Sequence, residues 1–197
     1  MEQFMLFFSS MLTAVAMENA IFTRGLGLGK YALFMETPKR GILYGVLTTW
    51  MLTVSSVFVA LANYALNDHP LVMYLRAPSF FVCVGVVYAV TYFICRAAFK
   101  ELFAVIVLAL PLCTFNTAVF GALYITAMQG YSFLQVVGYA LGTGIGYTMA
   151  VFIIYFARKR LALSPIPRSF KGLPILLIYI GILSLALYGL TGHGLAV

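Results

Sequence analysis

Six apolar stretches, each about 20 residues or longer, run through this chain and are separated by short polar segments. A helix needs about 20 consecutive apolar residues to cross the hydrocarbon core of a bilayer. Apolar residues make up 63% of the chain and charged residues 9%, whereas a soluble domain carries roughly 45–50% and about 25%. We therefore predict a single integral membrane domain over residues 1–197, an all-α protein with six transmembrane helices. The predicted spans are 4–22, 42–66, 71–95, 102–128, 133–157 and 173–191.

The basic residues lie almost entirely on one side of these predicted spans. The formal net charge is +7, but the cations are distributed over loops and form no patch for nucleic acid. Loops one, three and five hold all the Lys and Arg residues except Arg76. Short loops rich in Lys and Arg stay in the cytoplasm, so we predict a prokaryotic inner-membrane protein with both termini outside. The loop cations are Arg24, Lys30, Lys39, Arg40, Arg96, Lys100, Arg158, Lys159, Arg160, Arg168 and Lys171.

A short motif occurs twice, half a chain apart, inside the first and fourth predicted spans. Asn19 lies in the copy Glu-Asn-Ala-Ile-Phe, and Asn116 lies 97 positions later in the copy Phe-Asn-Thr-Ala-Val-Phe. An amide in lipid must find protein partners because water is absent. We expect spans 1 and 4 to be interrupted and to meet at one buried site. Because each half has an odd number of spans, the halves, approximately 1–96 and 97–197, are predicted to be inverted repeats.

Glu18 is the most costly residue in the sequence, since it lies within the first apolar stretch. A carboxylate there costs roughly 2.5–3.5 kcal/mol on insertion scales. Two interpretations are open: an ion, proton or cofactor-tuning site, or a carboxylate near the cytoplasmic end that pairs with Arg24 or caps a half-helix. The glycines that follow, Gly25, Gly27 and Gly29, form a GxGxG pattern, which by itself is weak evidence for phosphate binding. They predict an unwound or closely packed backbone.

The fourth predicted span contains its own helix breaker. Pro111 cannot donate a backbone hydrogen bond, so we expect a kink or break there. Asn116 and Thr117 can satisfy the backbone groups that are freed. They serve either as polar contacts within a kinked helix or as one wall of a central site. Cys113, four residues before Thr117, is a further candidate for that site.

The remaining patterns favour structure over catalysis. Gly138, Gly142 and Gly146 form a small-xxx-small stripe on the fifth span, which predicts close helix packing. The three cysteines show no CxxC or other familiar ligand spacing. The sequence contains no Ser-His-Asp or HExxH pattern. We therefore predict no metal site and no self-contained hydrolase.

Several separated motifs along the second half of the chain carry a family resemblance. They are NTAVFG at 116–121, which includes Gly121, SFLQ at 132–135, GY at 146–147, RKRL at 158–161, PRSFKG at 167–172 and SLALYG at 184–189. With these motifs in this order, the chain resembles the six-helix membrane subunits of the Rnf and Nqr ion-pumping electron-transfer complexes, the RnfA/NqrE type in particular. The resemblance covers nearly the whole chain and is strongest at NTAVFG, which is similar to the family's N-C-A-V-x-G.

This resemblance implies a membrane subunit that couples redox chemistry on partner subunits to Na⁺ or H⁺ movement and is not catalytic alone. It implies a paralogous or identical six-helix partner, and other Rnf/Nqr-like subunits. In the family, each of two paired subunits supplies two cysteines to a buried [2Fe–2S] cluster. The matching positions here are Gly29 and Thr117. Because such clusters are held by Cys thiolates, we predict that this chain lacks the cluster with the family's ligands.

Two other hypotheses remain open on the same scaffold. One is a cluster-less transporter or an ion or solute channel, and the other is a purely structural partner of another membrane protein. The midplane candidates are Glu18, Asn19, Arg24, Cys113, Asn116 and Thr117. The positions predicted to break or closely pack the backbone are Gly25, Gly27, Gly29, Pro111 and Gly121.

Overall fold

The computed structural model describes residues 2–29, 37–66 and 70–191, and all regular secondary structure in these ranges is helical. Lys30, one of the predicted loop cations, lies outside them. The helices are α1 (Glu2–Leu12), which continues as a π-helical segment (Thr13–Met17), α2 (Pro38–Leu66), α3 (Val72–Ala98), α4 (Phe103–Thr114), α5 (Thr117–Met128), α6 (Phe133–Leu163) and α7 (Leu173–Thr191), with a 3₁₀ turn at Arg168–Phe170.

Three helices of the described ranges, α2, α3 and α6, are long and apolar enough to cross a membrane. They contain 27 to 31 residues, and at 1.5 Å per residue each is about 40 Å or longer, more than the roughly 30 Å hydrocarbon core. Helices α4 and α5 together form a further candidate span, bent by 43° at the break between them. Two shorter apolar helices are Gln3–Met17 and Leu173–Gly189. The architecture is therefore that of an all-helical, multi-pass membrane protein.

Helix α6 lies at the centre, and α1 packs against the glycine stripe on it. A Cβ atom added at any of the three stripe glycines would collide with or crowd the α1 chain, backbone atoms included. This confirms the predicted close packing. The contacts advance in the same direction along both helices, so α1 and α6 are parallel. The contacts pair Gly138 with Phe7, Gly142 with Met11 and Gly146 with Val15.

Helix α2 packs on α6 in the opposite direction. Gly45 faces Thr148, and Thr49 faces Gly144 one turn further along α2. Helix α3 is in turn antiparallel to α2. The α2–α3 contacts pair Trp50 with Thr91 and Phe58 with Cys83.

Local sequence signals explain where the central helix begins. Ser132 and Gln135 form a capping box, in which the Ser132 backbone N–H donates to Gln135 Oε1 at 2.9 Å. This contact satisfies one of the N–H groups that a helix start leaves without an intrahelical partner. The connection from α5 to α6 spans only four residues. Helix α5 must therefore run antiparallel to α6, and hence also to α1.

Candidate functional site

The first break lies directly after the π-helical segment that continues α1, where the Asn19 side chain makes four hydrogen bonds. Its Oδ1 accepts hydrogen bonds from the backbone N–H groups of Ile21 (3.0 Å) and Phe22 (3.3 Å). Its Nδ2 donates to the carbonyl oxygens of Val15 (3.2 Å) and Gly146 (3.0 Å). An amide has two acceptor sites and two donor hydrogens, so Asn19, which is 5% exposed, has its hydrogen-bonding capacity filled.

The second break separates α4 from α5 at Phe115 and Asn116. Asn116 is the N-cap of α5, and its Oδ1 accepts from the Ala118 N–H at 3.1 Å. The sequence predicts a kink or break at Pro111, and the break lies a few residues later, because α4 continues through that proline and ends at Thr114. Helix α4 thus ends two residues before Asn116, whose side chain caps α5. The break lies where the free N–H groups at the start of α5 have an acceptor.

The Asn116 amide also joins two buried tyrosines. Its Nδ2 donates to Tyr147 Oη at 2.8 Å and to Tyr44 Oη at 3.2 Å. The two hydroxyls lie 3.3 Å apart, and Tyr147 donates to the Gly27 carbonyl at 3.0 Å. Cys113 is buried beside this network, with its Sγ 3.5 Å from the Tyr44 carbonyl oxygen. We name Asn116, Tyr44 and Tyr147 the amide–tyrosine network.

The segment after the first break reaches the second one. The Gly27 N–H donates to Thr117 Oγ1 at 2.8 Å, and a Cβ added at Gly121 would collide with the Leu26 side chain. Gly27 has φ of +80°, a conformation that glycine adopts without steric cost. A Cβ at Gly27 would also lie 2.5 Å from the Tyr147 ring. The two interrupted helices therefore meet against α6, where the amides contact the adjacent residues Gly146 and Tyr147.

Glu18 lies beside this meeting point and is paired. Its Oε2 accepts a hydrogen bond from Tyr139 Oη at 2.7 Å and lies 3.1 Å from Arg24 Nη2. The Glu18 and Arg24 side chains are 23% and 38% exposed. Burial raises the pKa of Tyr131, in the α5–α6 connection, with the Glu18 charge adding to the rise and the Arg24 charge opposing it. Glu18 and Arg24 lie beside Ile125, near the end of α5, and Tyr139, near the start of α6. The pair therefore lies toward the end of the molecule where α5 joins α6.

The structure brings most of the candidates together but leaves two glycines without close contacts. Gly29 is exposed, and nothing lies within 4 Å of a Cβ added there. Gly25 has φ of +66° and no close neighbour, so the conformation is what requires glycine. Tyr44 and Tyr139 are not predicted from the sequence, and Tyr147 is not assigned to the site there. No periodic signal marks them, because a tyrosine in an apolar run is equally typical of a core or of a membrane interface.

Comparison with known proteins shows the family of this chain. Residues 7–193 match the family described as "Rnf-Nqr subunit, membrane protein". This chain belongs to the Rnf-Nqr membrane subunits. It is similar to the A subunit of the ion-translocating oxidoreductase complex of Syntrophotalea carbinolica, with 30% identity over 92% of this chain and 94% of the relative. The A subunit of the same-named complex of Pectobacterium carotovorum is 31% identical over 98% of each chain.

A third relative of this Rnf-Nqr subunit carries a more detailed name. It is the A subunit of the Na(+)-translocating ferredoxin:NAD(+) oxidoreductase complex of Acetobacterium woodii, which is 25% identical over 92% of this chain and 95% of the relative. The three relatives are thus matched over nearly their full lengths. The similarity therefore concerns the whole membrane domain.

The residues at the cluster positions of this Rnf-Nqr subunit do not fit an iron–sulfur cluster. Gly29 has no side chain to offer. Thr117 offers a hydroxyl oxygen, which already accepts the Gly27 N–H, whereas such clusters are held by thiolates. The Cys113 thiol is buried against the Tyr44 carbonyl, and the family pattern provides it no partner in the first half of the chain.

Proposed function

We propose that this chain is the A-type membrane subunit of an Rnf-like ion-translocating electron-transport complex. In this role it couples redox chemistry on partner subunits to movement of Na⁺ or H⁺. The observation that carries the proposal is the match to the A subunits of ion-translocating oxidoreductase complexes over more than nine-tenths of the chain. The name of the Acetobacterium relative supplies the reaction class to test first, electron transfer from ferredoxin to NAD⁺.

We infer that the chain crosses the membrane six times as two inverted repeats, approximately 1–96 and 97–197. The directions of the described helices support this topology. Helix α1 is parallel to α6 and α5 is antiparallel to it, so the two interrupted helices run in opposite directions. Each has an asparagine at its break. Opposed, discontinuous helices at a repeat interface are typical of ion-transport folds.

The proposed orientation follows from charge. Most of the described Lys and Arg residues lie at one end of the helices, beside the start of α2, the end of α3 and the α6–α7 connection. The exceptions are Arg76 and Arg24, which pairs with Glu18. Cytoplasmic loops carry this excess in bacterial membrane proteins. We therefore place the basic loops in the cytoplasm of a prokaryotic cell and both termini on the outer side of its inner membrane.

Within the proposed midplane site, we assign different roles to the amides and to Glu18. The donors and acceptors of Asn19 are all occupied, and both donor hydrogens of Asn116 are directed at tyrosine hydroxyls. The hydrogen bonds of the two amides thus fix the position of each break relative to α6. Glu18 supplies the carboxylate at this place and is partly exposed. We propose that it exchanges the transported ion, with Arg24 as the competing cation and Tyr139 as its hydrogen-bond donor.

Under the same proposal, this chain does not bind an iron–sulfur cluster of the kind found in the family. Electron carriers then reside on partner subunits. Thr117 and Gly29 are both exposed in the single chain. We propose that a paralogous or identical six-helix protein covers the face on which they lie, and that the other subunits of the complex bind around this pair.

Co-purification tests the complex. A chain tagged in its native host and isolated in a mild detergent should bring flavoproteins and iron–sulfur proteins with it. Glu18→Gln should leave that assembly and its electron transfer intact while ion uptake into membrane vesicles falls by at least tenfold. Glu101→Gln, a carboxylate in the α3–α4 connection, is the matched control and should leave uptake unchanged. Normal uptake in the Glu18 variant would remove this residue from the ion path.

The residues at the two cluster-ligand positions, Gly29 and Thr117, favour a second candidate function. With a glycine and a threonine in place of two thiolates, the scaffold suits a transporter that works without redox chemistry. Purified chain in liposomes distinguishes the two functions. Ion or solute uptake by the chain alone, with no redox subunits in the purified material, would support the transporter and contradict the complex.

A further inference from the structure

A cavity lies at the end of the molecule where basic residues cluster, between the last turns of α6 and the first turn of α7. Its volume is about 450 Å³. Arg158 and Lys171 line it from the two sides. None of the described residues that line it is acidic; the other lining residues are Leu161, Ala162, Gly172, Leu173, Ile175 and Leu176.

The side chains that line this cavity are of two kinds, basic and aliphatic. Two cations favour an anion, and the first N–H groups of α7 add positive partial charge, since a helix start leaves them without intrahelical acceptors. The aliphatic side chains form the rest of the wall. Leu173 and, one turn deeper, Leu177 are both exposed on α7. An apolar track therefore continues from the cavity along the outside of the helix.

The depth of the cavity matches the lipid headgroup region. Arg158 is 25 residues after the first residue of α6, so it lies about 38 Å along the helix at 1.5 Å per residue. That distance exceeds the roughly 30 Å thickness of the hydrocarbon core. Helix α7 starts beside Lys171 and is apolar from its first turn. A molecule bound here would have its polar part at the interface and its apolar part in the bilayer.

We propose that this cavity binds an anionic phospholipid of the phosphatidylglycerol class. The phosphate lies between Arg158 and Lys171, and an acyl chain follows Leu173 and Leu177. Basic pockets between transmembrane helices on the cytoplasmic side bind anionic headgroups in this manner. A free phosphate ester would use the cations but not the apolar track. The site is independent of the proposed redox function, because none of its residues belongs to the central site.

Thermal unfolding of the purified full chain in detergent tests the site. Phosphatidylglycerol should raise the unfolding midpoint in a concentration-dependent manner, since a ligand that binds only the folded state stabilises it. Phosphatidylcholine and glycerol phosphate at the same concentrations should not. Arg158→Gln combined with Lys171→Gln should weaken the phosphatidylglycerol affinity roughly 25-fold, because each basic residue near an anionic lipid contributes about fivefold.

A charge-matched variant separates a built site from diffuse attraction. Arg160→Gln combined with Arg168→Gln removes the same charge from the same end of the molecule, and neither residue lines the cavity. It should weaken the affinity less than threefold. Equal losses in the two double variants would overturn the site, as would stabilisation by phosphatidylcholine equal to that by phosphatidylglycerol. If glycerol phosphate stabilises the chain as well as the lipid does, the acyl-chain part of the proposal is wrong.

Discussion

The contact between Asn116 and Tyr147 joins the second break to the central helix, and its strength can be measured. Asn116→Ala removes the cap on the Ala118 N–H and both hydrogen bonds to tyrosine hydroxyls. Loss of an N-cap costs typically about 1 kcal/mol, and hydrogen bonds between membrane helices average about 0.6 kcal/mol each. We therefore expect the variant to lose about 2 kcal/mol of unfolding free energy.

Tyr147→Phe removes the other half of this contact. It also leaves the Gly27 carbonyl without its donor, and a buried group that loses its partner costs about 1–3 kcal/mol. The two variants share one short, buried hydrogen bond of 2.8 Å. The double variant should therefore be more stable than the sum of the single losses predicts, by about 1 kcal/mol, which lies between the average and the largest values measured in membrane proteins.

The assay is unfolding of the purified chain by increasing sodium dodecyl sulfate in mixed micelles, followed by fluorescence of the single tryptophan, Trp50. Tyr124→Phe is the matched control, because Tyr124 is exposed on α5. It should be nearly neutral and additive with Asn116→Ala. Asn116→Ser keeps a cap oxygen and loses the reach to the tyrosines, so it should fall between wild type and the alanine variant. Full additivity of Asn116→Ala with Tyr147→Phe would refute the contact.

Three further experiments test the packing and the site. Gly142→Ala should destabilise the chain by about 1–3 kcal/mol in the same assay, because its Cβ would collide with the Met11 carbonyl; Gly85→Ala, which meets nothing within 4 Å, should be neutral or stabilising. Gly27→Ala should lower the thermal midpoint by at least about 5 °C, given its φ of +80° and the nearby Tyr147 ring; an unchanged midpoint would contradict this backbone conformation. Iron and acid-labile sulfide assays should find no stoichiometric cluster in wild type; a cluster that disappears in Cys113→Ser would show that this thiol is a ligand after all.

The two breaks could be predicted from sequence because an unpaired amide in lipid is costly. Asn19 and Asn116 had to find partners, and a helix end supplies free N–H groups for their oxygens. The exact place of the second break could not be predicted from Pro111. A proline removes one hydrogen bond without specifying where the chain will leave the helix. The cap offered by Asn116 decides that position, and α4 ends two residues before it.

The tyrosines of the site could not be predicted from the sequence, for a different physical reason. A hydroxyl on an apolar helix needs one acceptor, and that acceptor can be anywhere the packing places it. Tyr147 reaches Gly27 because α1 and α6 run parallel in contact along the glycine stripe. Tyr44 reaches Asn116 because α2 packs on the same helix from another side. Neither alignment is encoded in the local pattern around the tyrosine.

Glu18 shows how the structure narrows two alternatives that sequence left open. The carboxylate is paired with Arg24, as one alternative held, and both side chains remain partly exposed. The pair lies beside Ile125 and Tyr139, however, and not at the end with the basic loops, where that alternative placed it. A paired carboxylate and guanidinium are together neutral, which lowers the cost of placing them near lipid. Under the proposed function, a transported cation can bind Glu18 only by displacing the Arg24 guanidinium. The resting pair therefore acts as a competitor, and any motion in the complex that draws Arg24 away would make Glu18 available to the ion.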